Sequence, residues 1–204
     1  DLSHKHSLLR SKMTGRIVDS YSNIGIVKLF ARKNFEIDGR SIGSSLSEFY
    51  SSEDIKSEIE TATYYPKSKK MMVVGFVSKT GDQYERHEFH IKNNDKKYII
   101  YSVKGLIKLQ INDCLVKKKE IVADIQSQIS DAKRRDYKGG YGDSYGDSFA
   151  HITDFDFKDG GSIRVWCSEW DQSNKNVQDA LYSDSLAVNL SSTEQLDFVD
   201  NEAY

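Results

Sequence analysis

The residues best suited to chemistry lie in a few short stretches. His87-Glu88-Phe89-His90 sets two imidazoles three positions apart. A zinc-binding HExxH motif needs them four apart on one helical face. The local alternation is instead that of a strand, where successive side chains diverge, so both read as exposed strand histidines. Asp154, Asp156 and Asp159, with Gly160 following, place carboxylates as a calcium loop does. An EF-hand register begun at Asp154 fails, because Lys158 and Val165 stand where oxygen ligands belong and the glycine is displaced. Hairpin-edge aspartates are the expected state, and a looser oxygen cage joining Asp143 or Asp147 to these three is the candidate metal site. His151 and Asp154 with Ser144 and Ser148 have the residue types of a hydrolytic triad, but no GxSxG elbow accompanies them.

Aromatic side chains give a second kind of candidate. Trp166 and Trp170 lie among Arg164, Glu169 and Asp171, and Tyr141 and Tyr145 sit in a tandem YGDS repeat. If Cys167 faces a core, Trp166 faces outward, where an indole beside charges anchors a partner. The competing reading, which carries more weight, buries both tryptophans beneath a C-terminal helix.

Short lysine runs (Lys67, Lys69, Lys70; Lys96, Lys97; Lys117 to Lys119) read as protection of sheet edges. A net charge of −2 and a pI near 6.2 argue against a nucleic-acid surface. Cys114 and Cys167 are 53 positions apart and neither has a CxxC partner, which excludes a zinc ribbon. They read as two buried thiols, since free cysteine behaves as a small hydrophobe. A disulfide would need Cα atoms within about 7 Å.

The elements that would position these groups follow from periodicity. Residues 3–36 carry apolar side chains mostly three or four apart, which predicts a helix. Residues 37–46, rich in Gly and Ser, read as a linker. A second helix is expected over 47–62, ended by Pro66. The period then changes to two, giving strands at 71–78, 84–92, 97–103 and 106–116. A helix is expected over 119–135, then a flexible loop over 137–149, a hairpin over 150–170 around Lys158-Asp159-Gly160-Gly161, a strand at 185–190 and a capped helix from Ser192. No run approaches the length of a membrane span.

Residues 10–36 add a resemblance. Asn23, Ile24, Val27, Lys28, Phe30 and Glu36 are similar to a signature in the transmembrane domain of ABC exporters, in the cytoplasmic stretch between the fourth and fifth spans. The resemblance implies a helix that contacts a nucleotide-binding domain. It stops after about thirty residues, and the chain has no GxxxxGK[ST] phosphate loop.

These readings predict an α+β fold: an N-terminal helical segment (1–40), then a mainly antiparallel β-sheet domain (47–204) with two or three helices. The expected function is a non-enzymatic binding or interaction domain, cytoplasmic, with a protein partner, no cofactor and no nucleic acid. A truncated exporter remnant and a metal-dependent hydrolase built on His87, His151 and the aspartates are the alternatives.

Overall fold

A computed structural model describes residues 28–30, 34–158 and 160–204. Three short strands come first: β1 (Lys28–Phe30), β2 (Asn34–Ile37) and β3 (Arg40–Ser41), paired in order as a small antiparallel sheet. Between β2 and β3, Asp38 and Gly39 have φ of 49° and 80°. Both lie in the left-handed region, the type I′ geometry that Asp-Gly favours because it matches the twist of the flanking strands.

The large sheet contains β4 (Thr63–Tyr64), β5 (Met71–Val77), β6 (Arg86–Lys92), β7 (Ile100–Lys108), β8 (Lys133–Gly140), β9 (Phe149–Asp156), β10 (Ser162–Glu169) and β11 (Ser185–Ser191). Its order is β4-β5-β6-β7-β11-β10-β9-β8, with every pair antiparallel. Among the described residues four α-helices accompany it: α1 (Ser52–Glu60), α2 (Ile111–Gln128), α3 (Lys175–Asp179) and α4 (Thr193–Phe198). Among the described residues no helix is long and apolar enough to cross a membrane.

The topology is two meanders joined by α2. The chain runs from β4 to β7, leaves through α2, and enters the far edge at β8. It then returns strand by strand until β11 seats beside β7. The 18 residues of α2 reach about 27 Å at 1.5 Å each. Four strand steps of about 4.8 Å span roughly 19 Å, so the helix is long enough for the crossing.

One face of the sheet is sealed. Cys114, Ile121, Val122 and Ile125 of α2 are buried with Val165, Cys167, Leu186 and Val188. Ile37, Leu46, Tyr50 and Ile55 close the other half over Val74, Phe76 and Phe89. The cysteines are bonded, with Cα atoms 5.9 Å apart, so α2 is stapled to β10. The expectation of two free thiols is therefore corrected. A β-bulge where His90 opposes Ser102 and Ile91 opposes Ile100 leaves Tyr101 unpaired. Tyr101 packs instead against the small cluster of Met71, Phe198 and Ala203, under α4.

Several expectations are overturned. Among the described residues the α+β fold led by a helical segment is replaced by one that opens on strands, and most of the helix expected over 3–36 lies outside them. The fold is mostly antiparallel sheet, and its helices follow strands. Lys28–Phe30 and Asn34–Ile37 are strands, so Lys28, Phe30 and Glu36 of the exporter-like motif lie in sheet. Asn23, Ile24 and Val27 fall outside the described residues. The 37–46 linker is a hairpin, whose Ile37 shares the core with Leu46. The strand expected over 106–116 ends at Lys108, and the helix expected from 119 begins at Ile111. There the alternation of Ile107, Leu109 and Ile111 ran across the start of a helix whose own stripe is Cys114, Ile121 and Ile125. Part of the loop expected over 137–149 belongs to β8 and β9. β8 is an exposed edge strand carrying Lys133, Arg134, Arg135 and Lys138, charges that discourage further pairing.

Candidate functional site

Because strand residues alternate, the second face of the large sheet is set by the same strands that build the core. Its rows follow from the register. One row runs Tyr137, Ile152, Trp166, Ala187 and Leu106 across β8, β9, β10, β11 and β7. The neighbouring row runs Arg135, Asp154, Arg164, Asn189, Lys104 and Glu88 across those strands and β6. An apolar strip centred on an indole thus lies beside a polar ladder.

The ladder is internally neutralised. Arg164 grips Asp154 through Nε (2.7 Å) and Nη2 (3.0 Å), and Tyr137 donates its hydroxyl to the same carboxylate (3.0 Å). Arg135 pairs with Asp156 at 2.9 Å and reaches Asp154 at 3.5 Å. Lys104 pairs with Glu88. Asp154 holds Arg164 above its ordinary pKa, against the opposing effect of burial. Each cation of the ladder thus has a carboxylate partner, and Glu88 also receives Arg86 of β6 at 3.6 Å.

Trp166 is partly buried between Ile152 and Ala187. Beside it is a hollow of about 390 Å³, whose lining includes Gly139, Gly140 and Ala150 on one side and Lys104, Asn189 and His90 on the other. The missing side chains of β8 create this space: a Cβ on Gly139 would already stand 3.3 Å from Ile152 Cδ1. Burial, reinforced by the Lys104 charge, pushes His90 down to about 4. It is neutral at pH 7, with Nδ1 2.7 Å from the Tyr65 hydroxyl. Burial likewise pushes Tyr65 up to about 12, so that hydroxyl keeps its proton to donate. The His90 proton then sits on Nε2.

Tyr141 lines the same hollow and continues it into a stack. Its ring lies 4.2 Å from Trp170 at 17°, Trp170 lies 4.3 Å from Tyr182 at 16°, and Tyr145 meets both edge-on. The tyrosine hydroxyl is fixed by Ser168 at 2.6 Å. The YGDS repeat is tied down by Asp171, which accepts from the Asp147 and Ser173 N–H groups. Gly146, at φ 61°, is required there, since a Cβ would stand 2.4 Å from the Asp171 carboxylate.

A second polar cluster lies under the sealed face. His87 is fully buried, with Nε2 3.0 Å from Asp38 and Nδ1 3.0 Å from Ser78 Oγ. Asp38 also accepts from the Gln83 and Tyr84 N–H groups. Asp82 is forked by Arg40 at 2.8 and 2.9 Å. Burial opposes ionisation of Asp82, but the Arg40 fork and the Lys79 N–H outweigh it and hold the carboxyl below its usual range. The connectivity Ser78–His87–Asp38 is that of a triad. An acyl-transfer site also needs free oxyanion donors. The nearest ones, the N–H groups of Ser78 and Lys79, are already given to Glu85 O and Asp82 Oδ2. Asp38, Asp82 and His87 also bring donor atoms within 4.8 Å of one another. The permanent cation of Arg40 stands where a metal would need that charge. The cluster fits a tie between the β2–β3 turn and the β5–β6 hairpin.

The structure thus gathers Trp170, Tyr141 and Tyr145 into one stack and puts Trp166 beside Tyr141 at the hollow. Asp154 and Asp156 face guanidinium groups rather than a shared oxygen cage, and Asp159 lies outside the described residues. His87 and His90 do diverge, but neither is exposed. His151 faces Glu169 at 3.6 Å, away from Asp154 in the paired row. Sequence reasoning placed Arg164 near Trp166 but missed Asn189, Lys104 and Gly139, whose meeting with it depends on register. The available signal was alternation within 162–169 and 185–191. No protein-family model, no curated protein and no solved structure matches this chain, so its geometry alone must carry the functional reading.

Proposed function

We propose that this chain is a non-enzymatic binding domain that takes its ligand on the uncovered sheet face, over Trp166. One observation carries the reading: a half-open indole at the centre of an apolar strip, beside a hollow of about 390 Å³ floored by glycine and alanine. Tryptophan offers large contact area with little entropy to lose, and concave aromatic sites with a few placed polar groups are the usual form of ligand pockets. The buried Ser78–His87–Asp38 cluster does not favour catalysis, because its nearest oxyanion donors are committed.

The Cys114–Cys167 bond supports folding in an oxidising compartment rather than the cytoplasmic placement expected from sequence. Intact mass under non-reducing conditions tests this, and a chain two hydrogens heavier would count against it.

The binding reading is tested by amide chemical-shift mapping of the whole chain against neutral oligosaccharides, short peptides and oligonucleotides. Perturbations should cluster on the outward residues of β7, β9, β10 and β11, and need about tenfold more ligand or greater in Trp166→Ala. Perturbations confined to α2, or ligand binding of undiminished affinity in Trp166→Ala, would refute it.

A further inference from the structure

We infer that the ligand of the Trp166 face is a neutral saccharide, an inference that rests on the binding reading above. The charges surrounding the hollow are already answered within the protein. Arg164 and Arg135 are held by Asp154 and Asp156, and Lys104 by Glu88. An anionic ligand would have to break these pairs to gain an equivalent contact, and a cationic one would compete with guanidinium for the same carboxylates. His90 contributes no charge, because burial and Lys104 hold it neutral at pH 7.

What remains is an apolar surface next to planar polar groups held in place, bordered by the Glu88-paired Lys104 ammonium 6.0 Å from the Trp166 ring centroid. A sugar ring has the complementary form. Its axial C–H groups make an apolar face that lies on an indole, and its hydroxyls radiate from the edge as paired donors and acceptors. The hydroxyls would meet Asn189, the outer N–H groups of the Arg164 guanidinium and the His90 Nε2–H, all of which line the hollow. Asn189 is oriented for this role, with Oδ1 accepting from Ser102 (2.9 Å) and Nδ2 donating to Ser191 (2.8 Å). One amide proton and one carbonyl lone pair are left for a ligand. The hollow, about 390 Å³, suits one or two ring units. The Tyr141–Trp170–Tyr182 stack continues the aromatic surface for further units of a chain.

The experiment titrates the intact, oxidised chain with uncharged oligosaccharides of glucose, N-acetylglucosamine, xylose and mannose. A short anionic oligonucleotide and acidic and basic peptides serve as controls. The two indole N–H resonances are read separately, with Trp166→Phe assigning them. The expected result is a shift of the Trp166 signal by at least one uncharged oligosaccharide, with affinity little changed between low and high salt. Trp166→Ala should weaken that binding about tenfold or more. Gly139→Leu, which fills the hollow and leaves the core untouched, should weaken it similarly while the amide spectrum stays folded. A Trp166 signal that responds only to a charged probe, or in a salt-dependent way, overturns the saccharide assignment and leaves the face as a binding site. Silence of Trp166 toward every probe overturns both. Binding that survives Gly139→Leu in a folded protein overturns the placement in the hollow.

Discussion

The two faces of the large sheet are built from the same strands but serve different ends. On the helix side, Phe89, Val103, Phe155, Val165 and Val188 are fully buried, and a covalent bond fixes α2 over β10. On the other side the alternate residues form an ion-paired ladder beside a half-open tryptophan. Sealing one face with apolar volume and a staple leaves the other with only a small apolar cap, where α4 packs over Met71 and Tyr101. Polar groups can then be held there in fixed positions by one another. Substitutions should accordingly separate by face, with stability lost on one and binding on the other.

The largest effect belongs to the sealed face. Phe155→Ala should cost about 3–5 kcal/mol in denaturant unfolding, the range for emptying a buried aromatic site. A loss under about 1 kcal/mol would mean that Phe155 is not packed in the shared core as described. Replacing both cysteines by alanine should cost about 2–4 kcal/mol, since the bond closes a long loop in the unfolded chain. The open-face spectrum should stay unchanged apart from the lowered midpoint.

The open face has one stability device of its own. His90 is depressed to about 4 in the folded protein, against about 6.5 when unfolded. The unfolded chain therefore binds the proton more readily below pH 6.5. His90 contributes fully above that pH, and its contribution drains away as the pH falls toward 4. The full span is worth on the order of 3 kcal/mol. His90→Gln should flatten this acid limb of the stability curve, and an unchanged limb would assign it to other groups. Asp154→Asn should cost about 1–3 kcal/mol by freeing Arg164, and should make ligand binding newly sensitive to salt. Smallest is Trp166→Phe, expected within about 1 kcal/mol of the parent. A larger loss would move Trp166 from the binding surface into the core and erase the contrast between the faces.

How far the sequence reveals this arrangement differs from segment to segment. Alternation in 86–92 marks a strand with one sealed side, while 71–77 is marked by an unbroken apolar run of strand length. β8 escapes notice because an edge strand of Lys, Arg and Gly has no buried face to set a period. The Asp38-Gly39 turn carried the strongest short hairpin signal in the chain, yet its serine-rich surroundings resembled a linker. The start of α2 is hidden by an accidental run of alternating Ile107, Leu109 and Ile111. Trp166, Trp170, Tyr141 and Tyr145 could be singled out by residue type. Their neighbours could not, because Arg135, Asp154, Arg164, Asn189, Lys104 and Glu88 meet only when six strands fall into one register.

The bond from α2 to β10 has a consequence for the integrity of the chain. It spans the β8–β9 connection and the glycine-rich turn at 158–161. A protease cutting at either place would leave two polypeptides that still migrate as one species. They would part only after a reductant had been added, so such damage would escape any assay that omits one.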